Sequence, residues 1–362
     1  MGKTCVETCG FQVPLGKSMK KQTVNHILRR SIFPQREFFR WKTEKKIYLQ
    51  AWINGRRTFL FSRRVLYLKK RIPFGIFVRK EFLNMRLCAF ADEASSELSG
   101  QIAALKRNGI SQLEIRGVNG KNIKDLSGDE VRAVKAALDE AGISVWSIGS
   151  PIGKISLADD FTAHVEDFKR ILEAADILGA RRVRMFSFFP VEGMDEKMVK
   201  AAVYERIAAL ISITPRYITL CHENEKEIFG ENTENCLWLH RTFPRLRAVF
   251  DPANFVQCGV DTAKAWEALR EYVDYLHIKD AVEDGTVVPA GMGIGNVPFI
   301  VGEYLARGGD VMTLEPHLFD FTGLSALENG KSLKLGISAY KDNDEAFDAA
   351  VAALKEILNE EA

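Results

Sequence analysis

From Met85 onward, short apolar or β-branched runs alternate with stretches whose apolar positions repeat at helical spacing. The runs predicted as strands are Leu87–Ala91, Gln112–Arg116, Ser144–Ile148, Arg182–Phe186, Tyr217–Cys221, Arg247–Phe250, Tyr275–Ile278 and Val311–Leu314, eight in all. Between them, Leu98, Ile102 and Leu105 fall at i, i+4 and i+7. Val131, Val134 and Leu138 repeat the pattern, as do Val165, Phe168, Leu172 and Ala175, and later Phe347, Val351, Leu354 and Leu358. Ser127-Gly128-Asp129-Glu130 reads as a capping box, in which the hydroxyl takes an amide of the first turn and the Glu reaches back. Gly109 and Gly142 stand where helices should end. Strict alternation of strand and helix predicts a parallel sheet in an α/β protein. Eight units over residues 85–362 predict a (β/α)8 TIM barrel, whose usual size is about 250 residues. A doubly wound open sheet is the alternative, and it lacks a GxGxxG after the first strand.

Residues 1–84 break the pattern. Short stretches such as Thr58–Phe61 and Val65–Leu68 could be strands, but Arg56-Arg57, Arg63-Arg64 and Lys69-Lys70-Arg71 interrupt them. Charge divides the chain at the same place. Residues 1–84 hold 20 Lys+Arg against 4 acids, a net of +16; the other 30 Lys+Arg face 44 acids, a net of −14. The two readings of this basic extension are an arm for nucleic acid or an anionic membrane, and a disordered or non-native segment outside any folded domain. The second is the expectation here, with translation naturally beginning at Met85. The extension has no Asp, the strand-helix alternation starts at Met85, and Lys80-Glu81 can be encoded by a purine run that would precede that start.

Across the whole chain 46% of residues are hydrophobic and 27% charged, as in a folded globular protein. No run of about 18 apolar residues occurs, so a transmembrane helix is excluded. The six cysteines are scattered without a CxxC pair, and no signal-peptide pattern opens the chain, so a reducing cytoplasm is the expected location.

In a barrel of this kind chemistry sits at the C-terminal strand ends. Four successive strands there deliver Glu223, Asp251, His277 and Glu315 to one rim. Three carboxylates and an imidazole cannot converge without a counter-charge. A divalent metal (Mn, Mg, Co or Zn) supplies one, and oxygen and nitrogen ligands without thiolate suit those ions. His222 and Asn224 are candidates to orient the ligands. No HExxH occurs, since Lys226 stands where the second His would be. Gly291-Met292-Gly293-Ile294-Gly295 is a candidate phosphate cradle through its backbone amides, Gly293 and Gly295 included, or else a flexible turn. Lys154 and Lys279 could steady a substrate oxyanion or phosphate, or be solvated. Arg116 and Arg184 could point into the mouth, or pair with Glu114.

The segments Leu113-Glu114-Ile115-Arg116, Ser150–Lys154, Cys221–Glu225, Phe250–Asn254, Leu276–Asp280 and Leu314-Glu315-Pro316 together resemble the sugar phosphate isomerase/epimerase family, the xylose-isomerase-like (β/α)8 barrels. The resemblance covers residues 85–362 and none of 1–84. It implies a metal quartet of Glu223, Asp251, His277 and Glu315. It also implies an isomerase or epimerase of a small sugar, sugar phosphate or related polyhydroxy carbonyl compound, working through an enediolate with Glu223 and Glu315 as an acid/base pair. The well-studied ketose epimerases place a His three residues after the strand-six Asp, where this chain has Asn254. An inosose-dehydratase-like lyase is the alternative. An AP-endonuclease-like enzyme and a non-catalytic binding barrel are the remaining readings; the first would need additional His ligands on the early strands, and the net of −14 opposes nucleic acid as a partner. The expected partner is a small carbohydrate, with no membrane, and homo-oligomerisation stays open.

Overall fold

The computed structural model describes residues 85–324 and 340–361. It also describes one two-residue antiparallel pair, Trp52–Ile53 with Arg56–Arg57, taken by itself. The remainder of the basic extension lies outside the described residues.

Eight parallel strands close into a barrel. In chain order they are β1 (Arg86–Ala89), β2 (Gln112–Ile115), β3 (Ser144–Gly149), β4 (Arg182–Met185), β5 (Thr219–Glu223), β6 (Leu246–Phe250), β7 (Val273–Ile278) and β8 (Val311–Leu314). The last strand pairs with the first, Val311 opposite Arg86 through Leu314 opposite Ala89. The expected TIM barrel is therefore present, with strand ends shifted. β1 stops at Ala89, and Ala91–Glu93 forms a short 3-10 turn that carries Asp92 and Glu93 inward. β5 runs two residues further than its apolar run, as far as Glu223.

The outer layer is α1 (Leu98–Arg107), α2 (Gly128–Ala141), α3 (Phe161–Leu178), α4 (Glu196–Ile213), α5 (Thr233–Thr242), α6 (Pro252–Gln257), α7 (Thr262–Leu269), α8 (Val297–Ala306) and α9 (Asn343–Glu361). The capping box forms at α2: the Glu130 amide donates to Ser127 Oγ, and Glu130 Oε2 accepts the Ser127 amide at 2.7 Å. Gly142 closes that helix at φ 73°, a left-handed conformation that a Cβ would penalise. Asp251 caps α6 with Pro252 at the first turn, so the Asp-Pro step starts a helix rather than a turn.

Helices seal the barrel through one continuous apolar layer that includes Leu105, Val134, Phe168, Ile207, Trp266 and Phe347. Inside the barrel, Cys88, Cys221, Val249, Tyr275 and Val311 form a separate buried cluster. Above that plug, one strand period nearer the C-terminal ends, the inward residues become polar. No described helix is long and apolar enough to cross a membrane.

Candidate active site

Strand alternation places the site. On β5, Cys221 and Glu223 face the barrel axis; on β7, Tyr275 and His277 do. Asp251 and Glu315 follow β6 and β8 directly. One ligand atom from each of Glu223, Asp251, His277 and Glu315 lies within 4.8 Å of all the others, and all four residues are buried. His277 Nδ1 is 3.0 Å from Glu223 Oε1 and 3.5 Å from Glu315 Oε2. The quartet singled out from the strand ends thus meets in space.

Each member is held from behind. His277 Nε2 lies 3.1 Å from Glu114 Oε2, and Tyr275 OH donates to Glu114 Oε1 at 2.8 Å. Asp251 Oδ1 accepts the Asn254 amide at 2.9 Å. The Asn224 side chain pairs with the Asp251 backbone on both sides, donating to its carbonyl and accepting its amide. Asn254 Nδ2 donates to Asn224 O and, at 3.3 Å, to Glu223 Oε1. Asp251 Oδ2 is left without an aligned hydrogen bond, although the Lys279 ammonium is 3.1 Å away.

Charge at the site is dense and compensated. Lys279 Nζ also reaches Glu315 Oε2 at 3.0 Å, and Arg184 Nε lies 3.3 Å from Glu223 Oε2. Burial would lower the Lys279 ammonium, but Asp251 and Glu315 hold it well above its usual value. Burial would raise Glu315, but Lys279, His317 and His277 hold it well below the carboxylate range. Burial pushes Asp251 up to about 7 against the pull of Lys279, with Glu315 and Glu223 adding to the rise. In this state His277 is held well above its usual value, because Glu223 and Glu114 outweigh its burial. The donor set fits a divalent cation: hard oxygens and one imidazole nitrogen converge, and one buried carboxylate oxygen has no aligned donor.

Other candidates go elsewhere. His222 does not support the quartet. Because Glu223 faces inward, His222 faces outward, 3.0 Å from Ser187 Oγ and edge-on to His240 of α5. The glycine loop is not an open phosphate cradle. The Asp280 carboxylate accepts the amides of Gly291 at 3.0 Å, Gly293 at 3.0 Å and Gly295 at 2.9 Å. A Cβ at Gly293 would stand 2.4 Å from both Ala281 O and Asp280 Oδ1, so the close approach requires glycine. Lys154 pairs with Glu225 at 2.9 Å and lies over the Phe186 ring. Arg116 points into the mouth but does not pair with Glu114. It binds Asp92, Glu93 and Glu315, at 2.9, 3.0 and 3.0 Å, with its guanidinium over the rings of Phe90 and Phe321. Tyr275, Ser147, Glu93 and His317 belong to this neighbourhood and were not singled out from sequence. Tyr275 was findable, since it lies two residues before His277 on the same strand face.

Residues 102–356 match the family described as xylose isomerase-like TIM barrel. The chain belongs to that family. Among solved structures it is similar to a probable 3-DHS dehydratase AsbF, involved in petrobactin synthesis, from Bacillus anthracis. The two share 16% identity over 75% of this chain and 99% of that one, with a TM-score of 0.58. It is similar to the IOLI protein with a binding zinc atom, at 17% identity over 77% of this chain and 99% of that one, TM-score 0.57. It is also similar to D-psicose 3-epimerase with D-tagatose from Clostridium cellulolyticum H10, at 15% identity over 76% and 99%, TM-score 0.55. At these identities the likeness concerns the fold. No curated protein matches by sequence.

Proposed function

We propose that this xylose isomerase-like barrel is a divalent-metal-dependent isomerase or epimerase of a small sugar, sugar phosphate or related polyhydroxy carbonyl compound. The observation that carries the reading is that two glutamates from different strands, Glu223 and Glu315, reach the same imidazole nitrogen of His277, at 3.0 and 3.5 Å. Glu223, Asp251, His277 and Glu315 would hold the ion. A divalent cation bound there supplies polarisation of a substrate carbonyl and so acidifies the neighbouring C–H.

The protein's own groups do the proton work. Arg116 Nη1 and Lys279 Nζ grip separate oxygens of Glu315 and keep it ionised, so it is set to accept a proton from carbon. Glu223, braced by Arg184 and Asn254, is its counterpart. A proton taken by one glutamate and returned by the other to the opposite face gives an epimer; returned to the neighbouring carbon, it gives an aldose–ketose pair. The apolar plug of Cys88, Cys221 and Val249 closes the floor below and keeps water from the reacting carbon.

One observation favours a second reading. Lys279 is a buried cation 3.0 Å from Glu315, placed to protonate a departing β-hydroxyl after the same proton abstraction. That is the lyase reaction of an inosose dehydratase. The test is elemental analysis of the purified protein, followed by proton–deuterium exchange at carbon over a panel of ketoses and inososes. Exchange with return of an isomer supports the first reading, and loss of water the second. A metal-free protein with no exchange on any member refutes both.

A further inference from the structure

We propose that His317 is a specificity-determining residue that holds a neutral hydroxyl of the substrate next to the carbon served by Glu315. This rests on the carbohydrate reading above. His317 stands three residues past the end of β8 and is 3% exposed, yet neither ring nitrogen has a hydrogen-bond partner. Buried imidazoles are normally satisfied, so an orphaned one beside a reacting group calls for a ligand. The ring is fixed rather than loose. Its residue sits at φ 45°, in the left-handed region. The His317 amide donates to Glu93 Oε2 at 2.6 Å, and the ring stacks on Phe321 at 5.5 Å.

The surroundings select the ligand group. His317 Nε2 is 3.5 Å from Glu93 Oε1 and 3.6 Å from Glu315 Oε1, beyond hydrogen-bond length. Both oxygens already take Arg116, each at 3.0 Å. That guanidinium fills the place of a cation among Glu93, Glu315 and His317, which speaks against a second metal ion there. An anionic group, phosphate or carboxylate, would sit against two carboxylates. A hydroxyl meets no such repulsion and can both give and accept, so it pairs with an imidazole nitrogen whether or not that nitrogen bears a proton.

The experiment is saturation-transfer NMR titration of the full-length protein with ketoses, inososes and their single-position deoxy analogues. It compares wild type with His317→Phe, which keeps the stacking, and His317→Asn, which tolerates the left-handed backbone and keeps a donor and an acceptor. Deoxygenation at one position should weaken binding to wild type about 10-fold. His317→Phe should weaken the parent compound by about the same factor, yet bind that deoxy analogue as wild type does. His317→Asn should stay within about threefold of wild type. Independent, multiplying losses at every position would overturn the proposal, since a merely structural role predicts them. So would wild type that binds no neutral polyol, or a second bound metal per chain lost in His317→Phe. Polyol binding that depends on His317, with no exchange at carbon, would sink the isomerase reading and leave this one standing.

Discussion

Glu114 Oε2 lies 3.1 Å from Nε2 of His277, on the side of the ring away from Glu223, Asp251 and Glu315. The carboxylate thereby claims Nε2 and aims Nδ1 at the cluster. Metal-ligating histidines are commonly held this way, and loss of such a partner costs about 10- to 100-fold in metal affinity or activity. Glu114→Gln should weaken divalent-metal binding by about that factor, as measured by competition with a chelating dye. An unchanged affinity would remove Glu114 from this role.

Removing a ligand outright should do more. His277→Ala or Asp251→Ala should lower bound divalent metal about 10-fold or more, because each takes one donor from a set of four. Elemental analysis showing equal metal in wild type and His277→Ala would show that the quartet is misassigned.

Glu315→Gln separates binding from chemistry. The amide oxygen can still ligate, so much of the metal should stay, while carbon-bound proton exchange falls by roughly 100-fold or more for want of a base. Exchange within a few-fold of wild type would take Glu315 out of the acid/base pair.

Acid should destabilise the fold through two buried histidines, His222 on the outer face of β5 and His240 on α5, whose rings meet edge-on. Burial brings His240 down to about 4, and burial with His240 nearby holds His222 well below its usual value. The unfolded chain binds protons at those positions near pH 6.5 while the folded chain stays neutral. The stability from His240 is therefore present above pH 6.5 and is lost as pH falls towards 4, by up to about 3 kcal/mol. Urea midpoints should drop between pH 7.5 and 5, and His240→Gln should flatten that slope. Equal slopes would contradict the assignment.

We propose that the working barrel begins at Met85. A chain of residues 85–362 should fold, bind metal and match the full-length protein in exchange rate, because eight strands close without any earlier element. If that shorter chain is insoluble while the full one is sound, residues 1–84 are needed.

What the sequence disclosed and what it hid follow one rule: reach along the chain. Glu223, Asp251, His277 and Glu315 were legible because each ends or follows its own strand, a local feature. Adjacency to Glu223 makes His222 a candidate to orient the ligands, but β5 runs on to Glu223 and neighbouring side chains on a strand face opposite ways, so His222 points outward to Ser187. The glycine loop was misread because its partner, Asp280, is 11 to 15 residues away, across a hairpin. For Arg116 the sequence leaves both the mouth and Glu114, two residues off, open; it points into the mouth, where its partners Asp92 and Glu93 are 24 and 23 residues distant. Ion pairs made by chain reversal leave no periodic mark.

The seam between β8 and β1 has a consequence for synthesis. It joins Arg86 to Asp310, 224 positions later, so the barrel cannot shut until nearly the whole chain has been made. At ~5–20 residues per second, β1 waits roughly 10 to 45 seconds on the ribosome with one edge unpaired. Through that interval the growing sheet has two open edges, the surfaces on which strands of other molecules can add. Yield in a cell should then depend on translation speed and on chaperones that cover those edges, even where the finished barrel is stable.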